Sequence, residues 1–309
     1  MTRMTMVEQF LNECDCSKST LNAYSHALQY WQTWLAGRRP EEATRADIIA
    51  YKKYLQQSNH KPATINLYLS AIRSLYNWGA LNGYCDNIAM GIRQVKRNAE
   101  SIRHALAPNE VTTVLMSIDR TTLQGMRDYA MLLTMFSTAM RCIEISRLNK
   151  DDLQHVSGHW VIYVQGKGCS DRDNYITVNA ELAACLQEYF NARHDNGEAM
   201  FASCSHNHGE EYRMQPHSIS QRVKAIFVAA GVDMPGYSAH STRHTAITTA
   251  LMSGASLREV QQYARHKNIN TTMIYDHSLQ QLDNPCCSNV MELYELYANG
   301  APCLLQCNE

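Results

Sequence analysis

The sequence predicts a mainly α-helical protein of two domains, an N-terminal helical bundle followed by a mostly helical domain that carries a small β-hairpin or sheet. Three observations point there. Apolar residues recur at helical spacing along most of the chain, while one polar, Gly-containing connection between 164 and 175 is flanked by β-rich runs. At 309 residues the chain exceeds one typical core, and its 45% hydrophobic content is enough to fill two.

The first domain rests on three segments. STLNAYSHALQYWQTWL (19–35) opens on a Ser/Thr cap and sets Leu21, Tyr24, Leu28, Trp31 and Leu35 on one helical face. TRADIIAYKKYLQQ (44–57), capped by Thr44, repeats the pattern, as does KPATINLYLSAIRSLYNWGALNGY (61–84), with Pro62 near its start and Gly83 at its stop. Residues 1–95 therefore read as a helical bundle whose Tyr and Trp side chains belong to its core. Periodicity breaks in QVKRNAESIRHALAPNE (94–110), and Lys96, Arg97 and Arg103 make 96–107 a basic linker.

The second domain, 108–284, opens with the helices NEVTTVLMSI and LQGMRDYAMLLTMFSTAM. Trp160–Val164 and Tyr175–Val178 then form a hairpin with Lys167 near its tip. Helical patterning returns after Ala180, interrupted by a polar loop at 203–218. Beyond Pro285, Ser288 caps SNVMELYELYA (288–298), whose Val290, Met291, Leu293, Tyr294 and Tyr297 make an apolar face that must be buried somewhere.

Composition excludes more than it selects. A formal charge of −1, from 28 Lys+Arg and 29 Asp+Glu, carries no overall basic excess, although residues 1–100 hold 12 basic against 8 acidic side chains. No apolar run approaches a membrane span and no export signal is visible, so a cytoplasmic protein without membrane partners is expected. The 11 cysteines are scattered without CxxC pairing and read as reduced thiols. CSHNH (204–208) with Cys303 and Cys307 fits no common zinc spacing, and no metal is expected.

Several charged groups lie inside apolar helical context. Arg141 stands between AMLLTMFSTAM and CIEISRL, with Glu144 three residues on and able to orient its guanidinium. In SAHSTRHTAITTALMSGAS (238–256), His240 and Arg243 share one face of a turn. Tyr275 follows His266 by nine residues in RHKNINTTMIYDHS, among Asn, Thr and Ser that make no apolar stripe. Each has a plainer reading: Tyr275 as an ordinary helix tyrosine, Arg141–Glu144 as a structural ion pair, His244 as a structural histidine.

Taken in order, STAMRCIEISRL, the hairpin Lys167, HSTRHT and ARHKNINTTMIYDHS resemble the tyrosine recombinases, also called the phage or lambda integrase family. The N-terminal helices are similar to that family's core-binding domain, and the resemblance spans roughly residues 5–278. It implies the tyrosine recombinase catalytic fold and a site-specific DNA recombinase with a pocket of Arg141, Lys167, His240, Arg243 and His266. Tyr275 would be the nucleophile, carrying an O-(3′-phospho-DNA)-tyrosine intermediate. It further implies no cofactor and no metal, double-stranded DNA with paired half-sites as partner, a homotetramer on two sites, room for accessory DNA-bending proteins, and a mobile-element context. The segment 285–309 would be exchanged between protomers. Type IB topoisomerase-like relaxation and an inactive DNA-binding relative are the alternatives. Two positions depart from the pattern: Ala139 and Arg265 stand where the family commonly has Gly.

The chemistry suits these residue types. A phenol of pKa about 10 needs a base before it attacks at neutral pH, and His240 is the candidate. Two guanidiniums, Arg141 and Arg243, can clamp the charge that builds on the phosphate oxygens. Lys167 on its hairpin can protonate the leaving 5′ oxygen, and His266 can donate a further bond to the phosphate.

Overall fold

The computed structural model describes residues 4–96, 105–165, 172, 174–204 and 212–275. Two compact units divide the chain, Met1–Ile102 and Arg103–Glu309.

The first unit contains α1 (Met6–Glu13), α2 (Lys18–Trp34), α3 (Arg45–Gln57) and α4 (Pro62–Leu81). Its helix starts follow from local chemistry. Ser17 accepts the Thr20 N–H, Thr44 and Asp47 form a reciprocal capping box, and Pro62 occupies the first turn of α4, where its missing N–H has no helical partner to lose. α4 ends before Gly83, which takes φ +75°. α1 was not singled out by periodicity, yet it has a Thr5–Glu8 capping box and buries Met6, Val7 and Phe10. α4 packs against α1, α2 and α3, and Leu28, Trp31, Tyr51, Leu55, Ile72 and Leu75 are fully buried between them. Each such aliphatic side chain contributes about 1.5–3 kcal/mol of transfer free energy.

The second unit runs α5 (Pro108–Met116), α6 (Leu123–Thr138), α7 (Cys142–Arg147), β1 (Leu153–Val156), β2 (His159–Val164), β3 (Asn174–Val178), α8 (Ala180–Ala192), α9 (Pro216–Ala229), α10 (Ala239–Met252) and α11 (Leu257–Ala264). The sheet is antiparallel in the order β1-β2-β3, with Ile162 opposite both Leu153 and Ile176. β2 and β3 are the expected hairpin; β1 is an addition. Its residues after Leu153 are exposed, so no alternation marks it, but Ser157 and Gly158 both have positive φ, as a two-residue type I′ connection requires.

α6 is the central helix, packed on α8 and α10. Gly125 in its first turn is required sterically, because a Cβ there would lie 1.7 Å from the Asp119 carbonyl oxygen. A cluster of mostly small residues, Ala139, Ala246, Ile247, Val260 and Ala264, lets the end of α6, α10 and α11 approach closely, and Tyr263 and Tyr275 pack against it. Among the described residues no helix is long and apolar enough to cross a membrane. Most of the basic linker, Cys303 and Cys307, most of CSHNH and the segment 285–309 lie outside the described residues.

Candidate active site

Arg141 reaches the site through the turn that ends α6. Ala139 there adopts φ 52°, ψ 25°, a left-handed conformation that costs a residue with a Cβ about 1–2 kcal/mol and that Gly takes freely. Arg141 then becomes the N-cap of α7. Glu144, fully buried, accepts the Arg141 backbone N–H at 2.9 Å through Oε2 and the Arg141 guanidinium at 2.9 Å through Oε1. The i, i+3 spacing thus orients the arginine in the way its position suggested.

His240 and Arg243 stand at the start of α10, whose N-cap Ser238 accepts the His240 N–H. His240 is exposed, whereas Arg243 is only 1% exposed. The Arg243 guanidinium donates to two carbonyls, Ala139 and Ala264. Each marks a helix end with left-handed backbone, since Ala139 itself and Arg265 (φ 53°) have positive φ. One side chain therefore joins the turn before Arg141 to the turn before His266. Burial and then the neighbouring Arg141 charge push Arg243 down to about 10, which leaves it cationic at neutral pH.

α11 is started by a Ser256–Glu259 capping box and stopped at Arg265. The Arg265 side chain turns inward: Nη1 donates to the Tyr263 carbonyl at 2.8 Å and Nη2 to Glu144 Oε2 at 3.0 Å. Burial pushes the Glu144 carboxyl up, but the Arg265 charge and the Arg141 N–H and charge outweigh it, so the group lies below its ordinary range and is ionised. Two guanidiniums, Arg141 and Arg265, thus pair with one carboxylate, a third, Arg243, lies within its electrostatic reach, and the surplus positive charge suits the site to an anion such as a phosphodiester.

His266 is buried, with Nδ1 2.9 Å from the Thr272 hydroxyl. The backbone is helical again over 270–275 and carries Tyr275 back toward α10. The Tyr275 ring stacks near His266, centroids 6.3 Å apart, and lies 5.1 Å from His244, which in turn is 4.7 Å from His240. Five of the six expected residues are therefore drawn together from the N-cap of α7, from α10 and from the segment after α11. The sixth, Lys167, lies outside the described residues. Sequence reasoning missed His244 as a neighbour of Tyr275 and Thr272 as the partner of His266. His244 had a signal, since one turn of helix puts it on the His240 face, but Thr272 had none.

Residues 104–281 match the model of the phage integrase family, and residues 4–86 match that of a phage integrase N-terminal SAM-like domain. The tyrosine recombinase XerD of Listeria innocua is 27% identical over 285 residues, covering 88% of this chain and 93% of that protein. Among solved structures, a XerH site-specific recombinase bound to a palindromic difH substrate in a post-cleavage complex has a TM-score of 0.70 at 20% identity, covering 89% of this chain and 80% of that one. A lambda integrase dimer bound to a COC′ core site gives 0.70 at 15% identity, covering 87% and 75%. The two structural likenesses establish a common fold. With its helical N-terminal unit and a catalytic-unit match covering more than half its length, the chain belongs to the phage integrase family, the tyrosine recombinases, enzymes that cleave and rejoin DNA strands.

Proposed function

We propose that this chain is a site-specific DNA recombinase that cuts one DNA strand at a time through Tyr275. The observation that carries the reading is the meeting of Arg141, His240, Arg243, His266 and Tyr275 around one cationic pocket, although they span more than a hundred residues of sequence. Arg141 and Arg243 hold the scissile phosphate. His240 takes the phenol proton, directly or across the intervening His244, and the Tyr275 oxygen attacks phosphorus. The bond to the 5′ oxygen breaks, Lys167 protonates that oxygen, and His266 donates to a nonbridging oxygen. The products are a 3′-phosphotyrosyl bond and a 5′ hydroxyl. Another strand's 5′ hydroxyl reverses the step with little change in free energy, because one phosphodiester replaces another.

On the same reading the N-terminal unit, 1–95, binds DNA, the basic linker at 96–107 follows the phosphate backbone, and 285–309 docks on a neighbouring protomer in a tetramer on two sites. The direct test is a nicked suicide duplex built on a sequence selected from a random pool by binding to the full chain. A denaturing gel should show a covalent protein–DNA band, and mass spectrometry should place the DNA on Tyr275. An adduct on any other residue, or none at all, overturns the assignment.

A further inference from the structure

We infer that Arg265 is a positioning residue: it shares the Glu144 carboxylate so that the Arg141 guanidinium is left available to the phosphate, a role that rests on the reading of Arg141 as a phosphate ligand. Arg265 takes the left-handed backbone at φ 53°, a conformation unfavourable for a residue with a long side chain, so that side chain must contribute what glycine could not.

The geometry says what it contributes. The Arg265 side chain is 13% exposed, against 31% for that of Arg141, so Arg265 faces the protein and Arg141 is the more open of the two. Glu144 Oε2 receives Arg265 Nη2 at 3.0 Å and the Arg141 backbone N–H at 2.9 Å, while Oε1 receives the Arg141 guanidinium. A buried carboxylate with Arg141 as its sole cation would hold that guanidinium as its counter-ion. With Arg265 on the other oxygen the carboxylate is already matched, and Arg141 keeps charge to offer a ligand. The Arg265 charge is also the leading influence that keeps Glu144 ionised against burial. Its longer contacts with the Thr138 and Ala139 carbonyls, 3.3–3.4 Å, tie the turn before His266 to the turn before Arg141. One side chain thereby sets both neighbours.

Arg265→Gly isolates the side chain, because glycine accepts the left-handed backbone without strain. Adduct formation on the selected suicide duplex should slow by about tenfold or more, while duplex affinity stays within about twofold and its salt dependence is unchanged. In a Glu144→Gln background the same change should cost less than about twofold, since the charge it answers is gone. Arg265→Lys should recover most of the rate. Arg265→Asn, tolerant of the left-handed region but neutral, should behave like the glycine variant and keeps the test open if Glu144→Gln does not fold. Wild-type rates in Arg265→Gly, a loss undiminished by Glu144→Gln, or weaker binding with a shallower salt dependence would each overturn the role, the last by making Arg265 a direct DNA contact. A wild-type chain that forms no adduct at Tyr275 would instead remove the phosphate pocket itself, and this role with it.

Discussion

The imidazole of His244 lies 5.1 Å from the phenol ring of Tyr275, tilted by 34°. This contact and the stacking near His266 seat the tyrosine through its ring, and a phenylalanine ring keeps both. Tyr275→Phe should therefore keep the fold and DNA affinity of the wild type yet form no covalent adduct. A Phe variant that still gives the adduct band would identify a different nucleophile.

The two pocket arginines should separate activity from stability. Arg243→Ala removes buried bonds to the Ala139 and Ala264 carbonyls and should cost about 2–4 kcal/mol of unfolding free energy in addition to cleavage. Arg141→Ala, part-exposed, should change stability by no more than about 1 kcal/mol but slow cleavage about 10²–10³-fold. EDTA should leave the wild-type rate unchanged. Urea titration with single-turnover cleavage reads all three, and equal stability losses in the two variants would contradict the structural difference.

Lys167→Ala should be rescued by a duplex whose leaving 5′ oxygen is replaced by sulfur, a leaving group that departs without a proton. Equal defects on the two substrates would take the general-acid role away from Lys167.

Acid should loosen the pocket in a defined direction. The folded-state value of Glu144 lies below its ordinary 4.5, so the unfolded chain binds the proton more tightly and unfolding takes up protons in acid. The stability this carboxylate contributes is complete above about pH 4.5 and is lost as pH falls through the folded value. Urea midpoints of the wild type and of Glu144→Gln should converge as pH drops from about 6 to about 3. Parallel curves would mean that the folded protein holds the Glu144 proton as tightly as the unfolded chain does, so that the pocket does not lower its pKa.

Deleting 285–309 should leave binding to a single half-site nearly unchanged while abolishing cooperative filling of the second half-site and strand exchange. Band-shift titrations on one and two half-sites measure both. Loss of half-site binding itself would assign the segment to the protomer's own core.

Helix starts were legible because their signals are local: Thr44 with Asp47 and Pro62 act within a turn of themselves. The same locality made Arg141 with Glu144 readable as an oriented pair. The resemblance supplied the order of the six site residues, but not how they are held. Arg243 finds its carbonyls at Ala139 and Ala264, and Arg265 finds Glu144 across 121 residues, relations that exist only after packing. The edge strand β1 was missed because its exposed side chains carry no alternation. The departures at Ala139 and Arg265 were visible as unusual residues; that both occupy left-handed backbone was not.

The partners of Arg243 lie 104 residues before it and 21 after it. A chain still on the ribosome and extended just past Arg243 has only one of the two carbonyls, lacks His266 and has not yet received Tyr275. The capacity to cut a strand, on the reading proposed here, arrives abruptly as the last of these residues emerges and folds back onto α10. On the same proposal, a product of interrupted translation that stops short of Tyr275 keeps the helices assigned to DNA binding but lacks the group assigned to breaking the strand.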